Sequence, residues 1–544
     1  MKQYTGKRVY EGIAIAKIIR YDEKINIEKT IGNGFTIELN RFNKAREQVI
    51  NSYNEIYNNT NKNKENNEII LSYISIAEDL DLIESVEDLL KNNNITAEEA
   101  VDKTCQILKS MLSNLDNEYL KERINDIQEV CTKIILFLQG KQFDTINENC
   151  IIVSDNISVS TLLQLDMSKV LGLVLENASP NSHIAILARS YGIPCIASVS
   201  EKVNEINNNI AILDCTNGLL ITSPSKNLLY EYRNLEKENM IKKQELNNYK
   251  NKEIKTIDGK VLKVYANISS SLEIDTVISS GADGIGLYRS EYIYLNNETF
   301  PLEELQFNHY VKCVKEMNDK PTIIRTMDIG ADKQVEYFDL PKETNPALGY
   351  RGVRLYKEFK DVFLTQLKAL LRASYYGDLK IMIPMITNLD EVEFVFECLK
   401  EAKEHLKSNN INYNENMKVG VMIETPASAL ICKELAKYVD FFSIGTNDLS
   451  QYVLAIDREN SKVLNTFNAT HKSILRLIYY VSKIAKENNI EVGICGELAR
   501  NKDLQGFYIM CGIDEISVST SYILECKKNI SEIDTRNINL LDYI

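Results

Sequence analysis

At 544 residues the chain has room for about three or four domains at the usual ~150 residues each, and 44% hydrophobic residues supply packed cores. A net charge of -14 argues against a surface built for nucleic acid or anionic membrane. Eleven cysteines, an odd number with no CxxC pair, read as reduced thiols of the cytosol and exclude a disulfide framework.

The first stretch with structure is 9–19, whose GIAIAKII reads as a strand. Its apolar core, 12–16, is too short for a signal peptide, and Lys17 follows it. No apolar run in the chain approaches the ~18 residues that span a bilayer. The expectation is a cytoplasmic protein with no membrane segment. Character changes over 36–140, which reads as four amphipathic helices at about 36–58, 67–92, 96–113 and 117–139. Thr96 and Glu99 form a capping-box pattern, and the polar run 58–67 is a loop. This block reads as a helical bundle, with a docking module as the alternative.

Strand signals return at 151–153, 170–175, 193–197 and 210–213. Between the middle two lies NSHIAILAR, 181–189. Asn181 or Ser182 would cap a helix whose first turn carries His183. A histidine there faces unpaired backbone N–H groups and the positive end of the helix dipole, which would stabilise a phosphate on its ring. The plainer reading is a histidine on a surface helix. The charged, Asn-rich stretch 227–253 reads as a linker helix with a solvated face.

From Lys260 the rhythm is regular. Eight strand candidates, 261–268, 284–288, 322–326, 380–386, 419–423, 441–444, 491–495 and 515–518, are mostly separated by helical stretches. Eight such units in about 285 residues fit a closed (β/α)8 TIM barrel. An open doubly wound sheet is disfavoured, because no GxGxxG turn follows the first strand. Polar residues cluster where these strands end: Arg289 and Glu291, Arg325 with Asp328 and Lys333, Met385, Glu424, Asn447 with Asp448, and Cys495 with Glu497. Arg458 follows the sixth strand within reach. Active sites of this fold lie at that C-terminal rim. Glu424 and Asp448 at one rim would repel each other without a cation between them, and oxygen ligands suit magnesium. Arginines and a lysine beside them imply a small, multiply charged anion.

These residues carry a resemblance. The blocks GIGLYRSE (284–291), IRTMDIG (324–330), NPALGYR (345–351), GTNDL (445–449) and GICGE (493–497) stand in the order found in enzyme I of the bacterial sugar phosphotransferase system. The resemblance runs from near the N-terminus to about Ser519. It implies an α/β phosphohistidine domain from 1–20 and 145–225, a carrier-binding helical insertion over 21–144 and a linker helix over 226–256. A phosphoenolpyruvate-binding barrel over 257–544 would also form a homodimer. It implies that His183 is phosphorylated and that Glu424 and Asp448 bind Mg2+. Arg289, Arg325, Lys333, Arg351, Asn447 and Arg458 would hold phosphoenolpyruvate, and Cys495 would protonate the enolate to pyruvate. A small histidine-containing phosphocarrier protein would receive the phosphoryl group.

The chain departs from the family around the histidine. Ala178 to Asn181 stand where the family usually has Gly-Gly-x-Thr, and Tyr73 stands where it often has His. In chemical terms, a thiol with an ordinary pKa near ~8.5 can donate the proton that makes transfer run downhill. His183 must visit the barrel and then a carrier, so domain swivelling is implied. Three other readings compete. A dikinase- or synthase-type phosphoenolpyruvate enzyme would carry a nucleotide-binding domain ahead of the histidine domain. The nitrogen-related branch would carry an extra N-terminal sensory domain. A non-catalytic regulatory paralogue would keep the helical block for docking alone.

Overall fold

The computed structural model describes the chain except residues 22–24, 26, 28–30, 60–63, 114–117, 141–145, 147, 156, 180–181, 204–208, 251, 296, 331–332, 334, 459, 461–462 and 464–466. The chain divides into two compact units, Met1–Met240 and Ile241–Ile544.

In the first unit eight strands form one mixed sheet: β1 (Lys2–Thr5), β2 (Lys7–Tyr10), β3 (Ile13–Arg20), β4 (Cys150–Ser154), β5 (Val170–Leu175), β6 (Cys195–Ala197), β7 (Ile210–Asp214) and β8 (Leu219–Thr222). Their order is β1-β8-β7-β3-β4-β5-β6-β2. Neighbours from β3 to β6 pair in parallel, and the flanking strands pair antiparallel. β4, CIIVS, is buried at every position, as a central parallel strand covered on both faces must be.

Between β3 and β4 the described residues build five helices: α1 (Phe35–Asn59), α2 (Lys64–Ala77), α3 (Leu80–Asn93), α4 (Ala97–Ser113) and α5 (Glu118–Leu138). The single helix expected over 67–92 is two. Asp79 leaves the helical conformation, and its side chain accepts from Asp81 N–H at 2.9 Å to cap α3. No Gly or Pro marks that break, so the apolar period runs through it unseen. Thr96 accepts from Glu99 N–H at 3.4 Å, while the Glu99 carboxylate pairs with Lys103 at 2.9 Å. Tyr73 lies in the bundle core, its ring 5.6 Å from that of Tyr53. The buried Lys133 of α5 donates to Ser160 (3.0 Å) and Thr161 (3.1 Å) of α6 (Val159–Gln164), tying the bundle to the sheet domain. His183 opens α7 (His183–Ser190), and Ser182 caps it by accepting from Ala185 N–H at 3.4 Å. The alternative cap, Asn181, lies outside the described residues. α8 (Lys226–Asn247) follows β8.

The second unit is a closed barrel of eight parallel strands: β9 (Lys263–Ile268), β10 (Ile285–Arg289), β11 (Thr322–Arg325), β12 (Leu379–Ile383), β13 (Val419–Ile423), β14 (Phe441–Gly445), β15 (Glu491–Cys495) and β16 (Glu515–Ser519). Each strand pairs with the next in sequence, and β16 closes onto β9. The main core lies between strands and outer helices, and a smaller set, Leu287, Ile323, Met382, Met422, Phe441 and Cys495, packs together apart from it. Alternation along β13–β15 assigns that set to the barrel interior. All eleven cysteines of the chain are free and buried. No helix among the described residues is long and apolar enough to cross a membrane.

Candidate active site

Strands β10, β11, β13 and β14 each end at or just before polar residues of the C-terminal rim. Arg289 and Arg325 are register partners at the ends of β10 and β11. Glu291, in the first turn of the helix after β10, is fully buried and accepts from Arg325 Nη2. Lys333 Nζ reaches the same carboxylate at 2.7 Å and Asp328 at 3.2 Å. Asp328 is the hub. Its carboxylate also takes Arg325 at 3.1 Å and a two-pronged contact from Arg351, Nε at 3.2 Å and Nη2 at 2.9 Å. Three cations therefore share two buried carboxylates. Burial opposes the charge on Asp328, but Arg325, Arg351 and Lys333 overcome it and hold the carboxyl well below the usual range. Glu291 is lowered against burial by Arg325 and Lys333. Burial likewise opposes the charge on Arg325, whose pKa is nonetheless raised by Glu291 and Asp328. Arg325 Nε and Glu291 Oε2 are buried without a partner among the described residues, so the cluster is not internally saturated.

Glu424 follows β13 directly and is buried. Its Oε1 accepts from Met385 N–H at 2.7 Å. Met385 adopts a left-handed φ of 60°, unusual for a buried non-glycine residue, and that conformation belongs to the turn that delivers its N–H. Gly445 ends β14, where a Cβ would stand 3.0 Å from that of Glu424, so the bare backbone admits the carboxylate. Asp448 then sits in the first turn of helix Thr446–Leu454, 3.5 Å from Arg351 and 3.9 Å from Arg458. Burial first, then the negative charges of Asp448 and Asp328, push Glu424 up to about 8. A buried carboxylate whose charge a neighbouring carboxylate disfavours forms, with that neighbour, a donor set suited to a hard divalent cation.

Asn447 Oδ1 accepts from Glu497 N–H at 2.9 Å. Cys495 ends β15, 2% exposed, and its sulfur accepts from Ser443 Oγ at 3.7 Å. The ordinary thiol pKa expected from sequence is corrected here. Burial, chiefly, pushes Cys495 up to about 12, because the side chain lies in the barrel interior below the rim. Arg289 makes no ion pair among the described residues. His183 belongs to the other unit.

Sequence reasoning overlooked Tyr452, whose hydroxyl accepts from Arg351 Nη1 at 3.4 Å. It stands four residues after Asp448 on the same helix face, a spacing that could have revealed it. The Met385 N–H was equally hidden, since a backbone donor leaves no mark on residue type.

A closed parallel barrel whose strand ends gather arginines, a lysine and paired buried carboxylates defines an enzyme class acting on small multiply charged anions. Comparisons agree with that class. Residues 243–535 match the family model for the PEP-binding domain of PEP-utilising enzymes, 5–123 the N-terminal domain and 146–218 the mobile domain. A phosphoenolpyruvate-protein phosphotransferase from Priestia megaterium is 36% identical over 99% of this chain and 95% of its own. Those from Haemophilus influenzae (36%, 98% and 93%) and Bacillus subtilis (34%, 98% and 95%) are similar. The chain belongs to the phosphoenolpyruvate–protein phosphotransferase family of PEP-utilising enzymes.

Proposed function

We propose that the chain transfers the phosphoryl group of phosphoenolpyruvate to its own His183 and then to a histidine-containing phosphocarrier protein, releasing pyruvate as the first step of a sugar phosphotransferase system. The observation that carries this reading is the convergence of Arg325, Lys333 and Arg351 on Asp328 beside the Glu424–Asp448 pair.

Arg325, Lys333 and Arg351 bind the phosphate and carboxylate of the substrate, with Arg289, Arg458 and Asn447 completing the ring at the rim. Each charge-assisted contact contributes roughly 1.5–3 kcal/mol, so a few hold the anion against the net charge of the chain. Glu424 and Asp448 would hold Mg2+, which when bound neutralises charge on the phosphate oxygens. Cys495 carries its proton at neutral pH, because burial keeps the thiol up near about 12. It gives that proton to C3 of the enolate and so draws the reversible transfer towards pyruvate. The backbone N–H groups of the first turn of α7, which Ser182 caps, favour negative charge on a phosphorylated His183. The acceptor must visit the barrel and then the carrier, so the first unit swivels. The helical block α1–α5 is the carrier-docking element, the barrel forms a homodimer, and the protein works in the cytoplasm, where eleven free thiols persist. The phosphohistidine domain takes 1–20 and 145–225, the docking domain 21–144, the linker 226–256 and the barrel 257–544.

The test is incubation with radiolabelled phosphoenolpyruvate and Mg2+. A phosphoprotein that is labile in acid and stable in base supports the reading. Protein that binds phosphoenolpyruvate yet takes no label supports a regulatory paralogue instead.

A further inference from the structure

Glu515 is the first residue of β16, 7% exposed, and its Oε2 is buried with no hydrogen-bond partner among the described residues. Nothing in the phosphate-binding rim uses it. Its register partner on β15 is Gly493, and the partner of Gly493 on β14 is Ser443. A side chain at Gly493 would overlap Glu515 Oε1, so the glycine leaves open the space the carboxyl occupies. Parallel neighbours in register point to the same face, and so do residues two apart on one strand. Ser443, Glu515 and Cys495 therefore all face the barrel interior, with the bare Gly493 between the first two and directly below the third. Ser443 already donates to Cys495 Sγ at 3.7 Å. Gly286 repeats the arrangement on β10, where a side chain would overlap Ser517 Oγ.

We infer that Glu515 is the proton reservoir that recharges Cys495 through Ser443 after each turnover, acting from inside the barrel. The inference rests on the proposed role of Cys495 as proton donor. The steps balance. The Cys495 S–H proton goes to C3 of the enolate, giving the methyl group of pyruvate and a thiolate. The Ser443 hydroxyl proton moves to that thiolate, and the Glu515 carboxyl proton replaces it on the Ser443 oxygen by way of one water in the space that Gly493 leaves open, since among the described residues no direct hydrogen bond joins the two side chains. The Glu515 carboxylate then takes a proton from water. Burial, with Asp514 and Glu491 adding to it and Lys380 opposing, pushes Glu515 up to about 8, so it holds a proton to give at neutral pH. Tyr265 of β9, whose own pKa is raised by burial and then by Glu515, faces it from the other side and stays neutral. Glu515 touches no substrate and serves Cys495 as a positioning and supply residue.

Two exchange rates measured together on the full-length protein test this. With unlabelled phosphoenolpyruvate, Mg2+ and carbon-14 pyruvate, the reversible half-reaction moves carbon label into phosphoenolpyruvate. In deuterium oxide it also moves deuterium into C3. Carbon exchange needs only the chemistry at the rim, because Cys495 can shuttle one proton back and forth. Deuterium entry needs the thiol to exchange with solvent. In Glu515→Gln the ratio of deuterium to carbon exchange should fall at least about tenfold, the lower side of what a positioned acid–base group supplies. Carbon exchange should persist. Ser443→Ala should lower the same ratio and decides the matter if Glu515→Gln does not fold. A merely structural role would lower both rates together and leave the ratio unchanged, and an unchanged ratio overturns the inference. Cys495→Ala separates the two claims. If it keeps wild-type carbon and deuterium exchange, the donor role of Cys495 fails. If it is impaired while Glu515→Gln and Ser443→Ala keep the wild-type ratio, only the relay fails.

Discussion

Replacing Asp328 by Asn keeps the volume of the hub and removes its charge. Asp328 holds Arg325 at 3.1 Å, Lys333 at 3.2 Å and Arg351 at 2.9 Å, all in a side chain with no exposed surface. Breaking a buried pair in this way costs about 3–5 kcal/mol, because charges are left desolvated and uncompensated. For a unit the size of the barrel this corresponds to a fall in melting temperature on the order of 6–10 °C. The pH dependence has a fixed sign. Native Asp328 has a pKa well below its unfolded value of about 3.9, so its contribution is fully present above that value. The contribution disappears as pH falls through the folded value. Wild type and Asp328→Asn should therefore differ fully at pH 7 and converge only in strong acid. Inorganic phosphate should raise the melting temperature of the variant more than that of wild type, since three cations then face one carboxylate. Differential scanning calorimetry at several pH values, with and without phosphate, reads all of this. Equal melting at pH 7, or a phosphate effect no larger than in wild type, would refute the reading of the cluster as an anion site held open by Asp328.

Cys495→Ala should slow pyruvate formation by about 100-fold or more while leaving phosphoenolpyruvate affinity within a small factor, read by single-turnover kinetics beside calorimetry. Because the thiol is pushed up to about 12, the wild-type rate should show no alkaline loss attributable to Cys495 below about pH 10. Gly496→Ala should weaken substrate binding and stability together. Gly496 has a φ of 96°, and an added Cβ would overlap Thr446 Oγ1 and stand 2.9 Å from Asn447 Oδ1. Normal binding and melting in that variant would show that the Thr446–Asn447 turn tolerates displacement.

The barrel was legible in the sequence because parallel strands buried on both faces leave uninterrupted apolar runs. Strands 419–423 and 491–495 fall where those runs do. Rim residues were legible because they break the runs, as Glu424 does after Ile423. What stayed hidden depends on distance rather than on residue type. The Asp79 cap divides a helix without a breaker residue. The depth of Cys495 decides its acidity, and no neighbour in sequence reports it. Glu291 and Asp328 were visible as acids, but that they share three cations is a property of the closed ring.

The central claim is a phosphoryl group carried by His183, and the most direct measurement is the site of the label. After reaction with phosphoenolpyruvate and Mg2+, digestion under basic conditions and mass spectrometry should place one phosphoryl group on the peptide containing His183. His183→Ala should take up none while still binding phosphoenolpyruvate. Label on any other residue, or label retained by His183→Ala at the wild-type level, would contradict the account.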